Sequence, residues 1–143
     1  MGMQLDNVMG IAGTALNAQS VRLNTVASNL ANANSVAGSE QEAYRAKRPL
    51  FKALMNEEMT HAGAQFVGGV KVDRLVNDPT PVRKTWEPTN PLADKEGYIY
   101  QSNVNEMTEM VDMMDASRSY QNNVEVVNTA RTLLSKTIGI LST

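Results

Sequence analysis

The chain has 143 residues, a net charge of −2 and no cysteine. Its length fits one domain, and its charge excludes the positive field that attracts nucleic acid or an anionic membrane. The lack of cysteine excludes disulfides, cysteine–zinc sites and thiol chemistry. The start, MGMQLDNVMG, lacks the basic and apolar regions of a cleaved signal, and no run is apolar enough to span a bilayer. We therefore expect a cytoplasmic protein, or one exported without signal cleavage.

Residues 6–32 predict a first helix, because apolar side chains recur at spacings of three and four. From Met1 to Ser39 only Asp6 and Arg22 carry charge, so this helix lacks the charged outer face of a solvated one. The pattern favours a helix that is enclosed by protein; the alternative is a frayed polar N-terminus. Its apolar stripe comprises Met9, Ala12, Leu16, Leu23, Val26 and Leu30.

The middle of the chain has a different composition, since every aromatic side chain except Tyr120 lies between residues 44 and 100. Residues 33–43 predict a loop, and Gly68–Gly69 predict a turn. Residues 52–60 fit either a helical turn or a strand. Short strands are predicted at residues 44–51, 70–76, 82–86 and 97–100. A segment of about 60 residues is marginal on its own, so we expect something else to cover it.

A second helix is predicted to begin near Asn103 or Asn105, because Asn103 with Glu106 three residues later resembles a capping box. Glu106 and Glu109 suit the positive end of a helix. The helix runs without Gly or Pro to Ile138, over roughly 50 Å, and needs the first helix or a neighbouring subunit as partner. We expect its apolar stripe on one face: Met107, Met110, Met114, Val124, Val127, Leu134, Ile138 and Leu141.

Polar residues 115–123 interrupt this stripe, and we interpret them as a contact surface that sets helix register. The methionines that precede them are flexible and fill irregular contacts, which favours a core or a subunit seam over a copper-binding cluster. The basic segment Arg45–Arg48 is balanced by nearby glutamates and does not indicate nucleic acid. It fits either an acidic face of a partner or a solvated strand edge.

The sequence predicts no catalytic residue, no cofactor site and no metal site. His61 is the only histidine, and we expect it in a surface loop. Motifs of hydrolases, zinc proteases and nucleotide-binding enzymes do not occur. Glu57, Glu58, Asp94 and Glu96 are carboxylates that no pattern places in a pocket. We therefore favour a structural subunit that finishes folding against its neighbours over a small enzyme with helices wrapped on its own β-domain.

Several segments resemble the flagellar rod and hook protein family. QSVRLNTVASNLANA, residues 19–33, is similar to the N-terminal signature of that family. NPLADKEGY at residues 90–98, followed by Asn103–Val104, resembles a motif of the proximal-rod members. ASRSYQNNVEVVNT at residues 116–129 and the segment Tyr44–Lys47 resemble the same members.

The resemblance runs from about residue 8 to residue 140, although residues 52–65 match none of its motifs. It implies an α+β fold in which long N- and C-terminal helices, within residues 1–35 and 103–143, pack as an antiparallel coiled coil. Residues 36–102 would form a small β-rich outer domain with loops.

The implied function is that of a structural subunit of the bacterial flagellar basal-body rod, the periplasmic drive shaft that transmits torque to the hook. The resemblance implies export through the flagellar type III apparatus without a cleaved signal. Its implied partners are copies of itself, other flagellar rod proteins and the rod-base adaptor FliE, with no nucleic acid and no membrane insertion. The alternative is another axial rod or hook subunit, or a rod component of type III secretion.

The implied residue roles are packing roles in three sets. The helix seam would comprise Leu16, Leu23, Val26, Leu30, Met110, Met114, Val124, Val127, Leu134 and Ile138. Polar contacts between subunits would comprise Asn29, Asn32, Arg118, Tyr120, Gln121, Asn122 and Asn128. Contacts of the outer domain would comprise Tyr44, Arg45, Trp86, Asn90, Pro91 and Tyr98.

Overall fold

The structure, a computed structural model, describes residues 2–54 and 68–141. Its elements in chain order are α1 Gly2–Ala31, β1 Val36–Ala37, β2 Lys47–Ala53, β3 Val70–Asn77, β4 Arg83–Trp86, β5 Tyr98–Gln101 and α2 Glu106–Leu141. The predicted α+β class, with a long helix at each end and strands between them, is confirmed. In the described ranges, neither helix is long and apolar enough to cross a membrane. The predictions for His61, Glu57 and Glu58 lie outside the described residues.

The strands form two small sheets, one of three strands in the order β1–β5–β4 and one that joins β2 to β3. In the first sheet Val36 lies opposite Gln101, and Lys84 lies opposite Tyr100, both in antiparallel pairs. The central strand β5 buries Ile99, which is 1% exposed. The ammonium of Lys84 lies 4.0 Å from the ring centre of Tyr98, which is within the range of a cation–π contact.

Two predictions for the middle of the chain are corrected. The extended segment predicted at residues 44–51 becomes a strand only at Lys47, because Ala43 and Ala46 are buried and the Ala46 amide is bonded to a side chain instead of a strand partner. The loop predicted at residues 33–43 contains the two-residue strand β1, which is too short to show a period of its own.

Residue contacts divide the chain into two units. The first unit holds described residues 2–21, 50–54, 68–74 and 115–141. Its buried side chains are all alanine, which lets helical segments approach closely: Ala12, Ala18, Ala116 and Ala130. The predicted division into residues 1–35, 36–102 and 103–143 concerns layers of an assembly and stays a prediction.

The second unit holds Arg22–Pro49 and Leu75–Met114. A small core of Ala33, Ala46 and Val104 lies within it, with the half-buried ring of Tyr44 packed against that core. This core contains only small side chains, so polar contacts hold much of this unit together.

The start of α2 corrects the predicted capping box. Asn105 is the cap, because its side-chain Oδ1 accepts a bond of 3.2 Å from the Thr108 amide and its carbonyl accepts from the Glu109 amide at 3.0 Å. Asn103 does not cap the helix; its side chain bonds Ala46, Asp78 and Thr80 instead. The prediction of a start near Asn105 is confirmed, and the pairing of Asn103 with Glu106 is wrong.

The predicted single stripe on α2 is also wrong. Met114 and Val127 are thirteen residues apart, and at about 100° per residue this step gives a net rotation of about 220°, so they lie on different faces. Met107 is 72% exposed and Met114 is 62% exposed, whereas Val124 and Val127 are half-buried. The inward face of the first turns of α2 carries polar side chains instead of methionines.

The turn between β4 and β5 is held by one carboxylate. Oδ1 of Asp94 accepts bonds of 2.9 Å from the amides of Tyr98 and Glu96, and Oδ2 accepts from the Tyr100 hydroxyl at 3.3 Å. The Tyr98 amide, followed by the Glu96 amide, lowers the pKa of Asp94 from its ordinary value of 3.8. A β-carbon at Gly97, whose φ is +84°, would lie 3.3 Å from the Trp86 indole nitrogen, so Trp86 reports on this turn.

The contacts of Asp94 predict that the fluorescence of Trp86 changes as the pH is lowered into the acid range. Trp86 is a clean probe because the chain has one tryptophan. Because the folded state lowers the pKa of Asp94, its contribution is present above pH 3.8 and is lost as the pH falls through the folded-state pKa. We expect Asp94→Ala to remove the transition at acid pH. Asp78→Ala, a carboxylate of the preceding loop, should keep it. A transition that survives in Asp94→Ala would contradict this assignment.

Candidate functional site

A buried carboxylate organises the second unit. Glu109 on the first turn of α2 is 0% exposed, and its Oε1 lies 2.6 Å from Nη1 of Arg48 on β2. This contact is a close ion pair and not an aligned hydrogen bond, since Oε1 has no partner that meets hydrogen-bond geometry. The other oxygen accepts a bond of 3.0 Å from Nδ2 of Asn29 on α1. One side chain thus joins α1, β2 and α2.

Further charges surround Arg48. Its guanidinium lies 3.5 Å from Asp112 and 3.6 Å from Asp78. Asp112 in turn pairs with Arg22 of α1 at 3.1 Å. We call these five charged residues, together with Asn29, the Glu109 cluster: Arg22, Arg48, Asp78, Glu109 and Asp112. Bonds from the Thr80 hydroxyl and amide, with help from Arg48, lower the pKa of Asp78.

The side-chain amide of Asn29 is bonded entirely within this chain, which corrects the prediction that it makes a polar contact with a neighbouring subunit. The side chain is 0% exposed and makes four bonds. Its Nδ2 donates to the Lys47 carbonyl and to Glu109, while its Oδ1 accepts from the Tyr44 hydroxyl and the Lys47 amide. An amide with every donor and acceptor used has nothing to offer a neighbour.

Asn103 forms a second polar clamp in the same unit. Its Oδ1 accepts a bond of 2.7 Å from the Ala46 amide, and its Nδ2 donates to the carbonyls of Thr80 at 2.7 Å and Asp78 at 3.3 Å. Arg45 also donates to the Thr80 carbonyl and pairs with Glu40. The predicted basic segment Arg45–Arg48 therefore has acidic partners inside this chain.

The predicted seam residues fall into three classes of exposure. Val26 is buried. The half-buried members are Leu16, Leu23, Leu30, Val124, Val127 and Leu134. The exposed members, which cannot be seam residues within a single chain, are Met110, Met114 and Ile138. That a neighbouring subunit covers these three side chains stays a prediction.

The other predicted contact residues also spread over the surface. Asn32 is half-buried and donates to the Ser28 carbonyl at 2.8 Å, which satisfies the end of α1. The exposed members of the polar set are Arg118, Tyr120, Gln121, Asn122 and Asn128. Of the outer-domain set, the half-buried members are Tyr44, Arg45, Asn90 and Tyr98, and the exposed members are Trp86 and Pro91.

The exposed apolar surface of the second unit is concentrated on the first turns of α2. Met107, Met110, Val111 and Met114 are 72%, 50%, 51% and 62% exposed. Spacings of three, four and seven place them on one side of the helix, away from Glu109. We call this set the methionine face. Exposed apolar side chains grouped on one side of a helix are typical of a surface that binds another protein.

Each unit has a groove on its surface. In the first unit a groove of about 450 Å³ is lined mainly by apolar side chains such as Leu5, Val8, Val126 and Leu133. In the second unit a groove of about 430 Å³ lies beside the start of α2, where Asn34 is bonded to Glu106. Within the described ranges, no three Asp, Glu, His or Cys side chains are grouped to hold a metal ion.

Sequence reasoning missed the Glu109 cluster. The sequence predicted that Glu109 interacts with the positive end of the helix. It predicted that Arg48 lies at a solvated strand edge or contacts an acidic face of a partner. Helical spacing offers one weak signal, because Glu109 lies seven residues before the small Ala116 and therefore on the same helix face. Arg48, sixty-one positions away in the chain, has no such local signal.

The cluster predicts that replacement of Arg48 lowers the free energy of unfolding far more than replacement of the nearby Arg45. Arg48→Met leaves Glu109 buried without its cation, and we expect a loss of about 3 kcal/mol in the free energy of unfolding. Arg45→Met removes a pair with Glu40, whose side chain is 60% exposed, and should cost under about 1 kcal/mol. Urea unfolding of the two purified variants measures the difference. Equal losses would show that the buried pair does not organise the unit.

Comparison with known protein families gives two matches at the two ends of the chain. A model described as flagella basal body rod protein matches residues 9–38. A model described as flagellar basal body rod FlgEFG protein C-terminal matches residues 95–140. The matched ranges include most of α1 and nearly all of α2, so the resemblance to the rod and hook family is confirmed at both helices.

Full-length relatives narrow the family further. The chain is 48% identical over 136 residues to the flagellar basal-body rod protein FlgC of Yersinia enterocolitica and to that of Salmonella typhimurium, covering 95% of this chain and 97% of each relative. FlgC of Buchnera aphidicola subsp. Schizaphis graminum is 43% identical over 142 residues, covering 96% of this chain and 98% of the relative. With identity of this extent along the whole length, the chain belongs to the FlgC family of flagellar basal-body rod proteins.

Proposed function

We propose that this chain is a structural subunit of the proximal rod of the bacterial flagellar basal body. The observation that carries the proposal is the near full-length identity to FlgC proteins. The surface supports the same function, because α2 presents apolar side chains to solvent along a helix of 36 residues. A subunit of a tube needs such uncovered helical surface, whereas an enzyme needs a built pocket.

We further propose that α1 and α2 run antiparallel as one layer of the rod. Contacts in the second unit support this order: Arg22 pairs with Asp112, Asn29 with Glu109, and Asn34 with Glu106. The residue numbers in α1 and in the turn that follows it rise while those in α2 fall. Within the first unit, Leu5 and Val8 share a groove with Val126 and Leu133, which supports the same direction.

The role in the rod is mechanical. Other rod proteins, the adaptor FliE and further copies of this chain are the proposed neighbours, and transmission of torque from the motor to the hook is the proposed task. Charged and hydrogen-bonded contacts suit this task, since the Glu109 cluster joins α1 and α2 to β2 through specific partners. The absence of cysteine suits export in an unfolded state through the flagellar type III apparatus, because no disulfide needs to be opened or formed.

Rod membership predicts a location. In a strain whose own gene is deleted, a tagged copy of this chain should restore swimming and should remain in purified hook–basal bodies. The tag should be present after washing at high salt, since a structural subunit is held by buried contacts. Restored swimming with the tag absent from basal bodies would contradict a structural role.

A packed helix layer predicts a contrast between two positions on α2. Val127 is half-buried, whereas Thr132 is exposed and belongs to none of the predicted contact sets. Val127→Asp places a charge at a packed surface at a cost of several kcal/mol, so we expect loss of swimming and loss of the chain from basal bodies. Thr132→Asp adds the same charge at an exposed position and should retain most activity. Wild-type swimming of Val127→Asp would refute the proposed layer.

A further inference from the structure

The apolar side chains at the start of α2 do little to distinguish one alignment on α1 from another. Four of the nine residues from 106 to 114 are methionine: Met107, Met110, Met113 and Met114. Methionine is unbranched and flexible and fills gaps of many shapes, so a space that accepts one of these side chains also accepts the next. Apolar packing alone would therefore allow several rotations of α2, and also a slip by one turn.

Glu109 is the side chain in this segment whose surroundings no neighbour can share. A rotation of α2 by one residue, about 100°, would put Met110 in its place, and a slip of one turn would put Met113 there. In either case the guanidinium of Arg48, which lies 2.6 Å from the buried carboxylate, would face a thioether in place of its closest anion. Separation of a buried ion pair is strongly unfavourable.

Asn29 gives the same place a direction. Its side-chain amide is held on β2 by two bonds to the backbone of Lys47, one of 2.9 Å to the carbonyl and one of 2.8 Å from the amide. The Tyr44 hydroxyl donates to the same amide oxygen at 3.0 Å. The remaining Nδ2 hydrogen is donated to Glu109 at 3.0 Å. A donor held this firmly serves an acceptor at one position, and a methionine there would leave it poorly bonded.

The pair of Glu109 with Arg48 is not arranged for maximal stability. Oε1 of Glu109 is buried and has no aligned hydrogen bond. Apolar side chains of similar size often replace both members of a buried ion pair without loss of stability, whereas removal of one member alone is costly. In coiled coils, a polar side chain at an apolar seam selects one register at a cost in stability. The same exchange of stability for uniqueness explains a carboxylate among methionines.

We propose that Glu109, with Arg48 and Asn29, determines the alignment of α2 on α1 in the second unit, and adds no stability beyond what an apolar pair would give. A rotation that turned Met110 inward would also remove it from the exposed side of α2, so the same carboxylate keeps the methionine face outward. The consequence for assembly rests on the proposed rod function: copies with mixed alignments present different surfaces and are not incorporated together.

A crosslink within the chain reports the alignment, and the lack of native cysteine keeps the background clean. Nδ2 of Asn34 donates to Glu106 at 2.7 Å and both residues are exposed, so Asn34→Cys with Glu106→Cys reports the alignment of the structure. Asn34→Cys with Met110→Cys reports a slip of one turn, about 6 Å. The purified full-length chain carrying either cysteine pair is treated with dibromobimane, a short reagent that joins two thiols.

The measurement compares three backgrounds. In the wild-type background the 34–106 product should exceed the 34–110 product by about tenfold. In Arg48→Met/Glu109→Met the two products should form in similar yield, while the urea midpoint stays at or above the wild-type value. Arg45→Met/Glu40→Met is the matched control, because it removes an ion pair of the neighbouring segment whose glutamate is 60% exposed. It should keep the wild-type ratio.

A second apolar pair, Arg48→Leu/Glu109→Leu, repeats both measurements with side chains of another shape, so that one poor fit does not decide the result. A wild-type crosslinking ratio in an apolar pair that folds overturns the proposal. A urea midpoint below the wild-type value in both apolar pairs, or failure of both to fold, also overturns it, because the ion pair would then be a source of stability. Absence of the 34–106 product from the wild-type background contradicts the alignment itself.

The consequence for the rod is tested separately. In a strain whose own gene is deleted, the wild-type chain should be present in purified hook–basal bodies, and Arg48→Met/Glu109→Met should be about tenfold scarcer there. Equal incorporation of the two chains overturns the claim that the rod requires one alignment. Absence of the wild-type chain from basal bodies overturns the rod function and leaves the crosslinking result intact.

Discussion

The second unit depends on the burial of one carboxylate. Glu109 sits on the inward face of α2, where a helix of this kind normally carries an apolar side chain, and it is completely removed from solvent. A charge in that position is tolerated only when a cation and hydrogen-bond donors meet it. Arg48 and Asn29 meet that need, and they come from β2 and α1. The positions of three elements are therefore fixed by the requirement to neutralise one group.

This requirement reverses the usual distribution of polarity on the first turns of α2. The inward side holds Glu109 and Asp112, and the outward side holds methionines. An ion cluster inside favours one register more than apolar packing does, because each charge needs a particular partner. An apolar surface outside adapts to what covers it, because methionine is flexible. The arrangement suits a subunit whose internal geometry is fixed and whose outer contacts are completed during assembly.

Local pattern predicted the elements better than the contacts between them. Both helices and most strands follow from periodicity and from turn residues that act within a few positions. The prediction of a single stripe on α2 failed because the apolar side chains before and after residues 115–123 lie on different faces of the helix. Spacings of three and four within each part do not reveal this change. The Glu109 cluster joins positions from 22 to 112, and no local rule connects them. Asn29 was assigned to a neighbour because an uncharged helix gives no sign of which amide is used inside the chain.

The small size of the internal cores links folding to assembly. The first unit buries alanines, and the second buries Val26, Ile99 and Val104 with three alanines, so the described residues bury few large apolar side chains. Hydrophobic stabilisation scales with that area, which leaves a single copy with a narrow margin. Covering the exposed side chains of α2 adds the missing area, and any partner that binds only the folded chain raises its stability by mass action. Assembly is thus a source of stability for this chain, and the same apolar side chains that weaken the isolated subunit strengthen the completed structure.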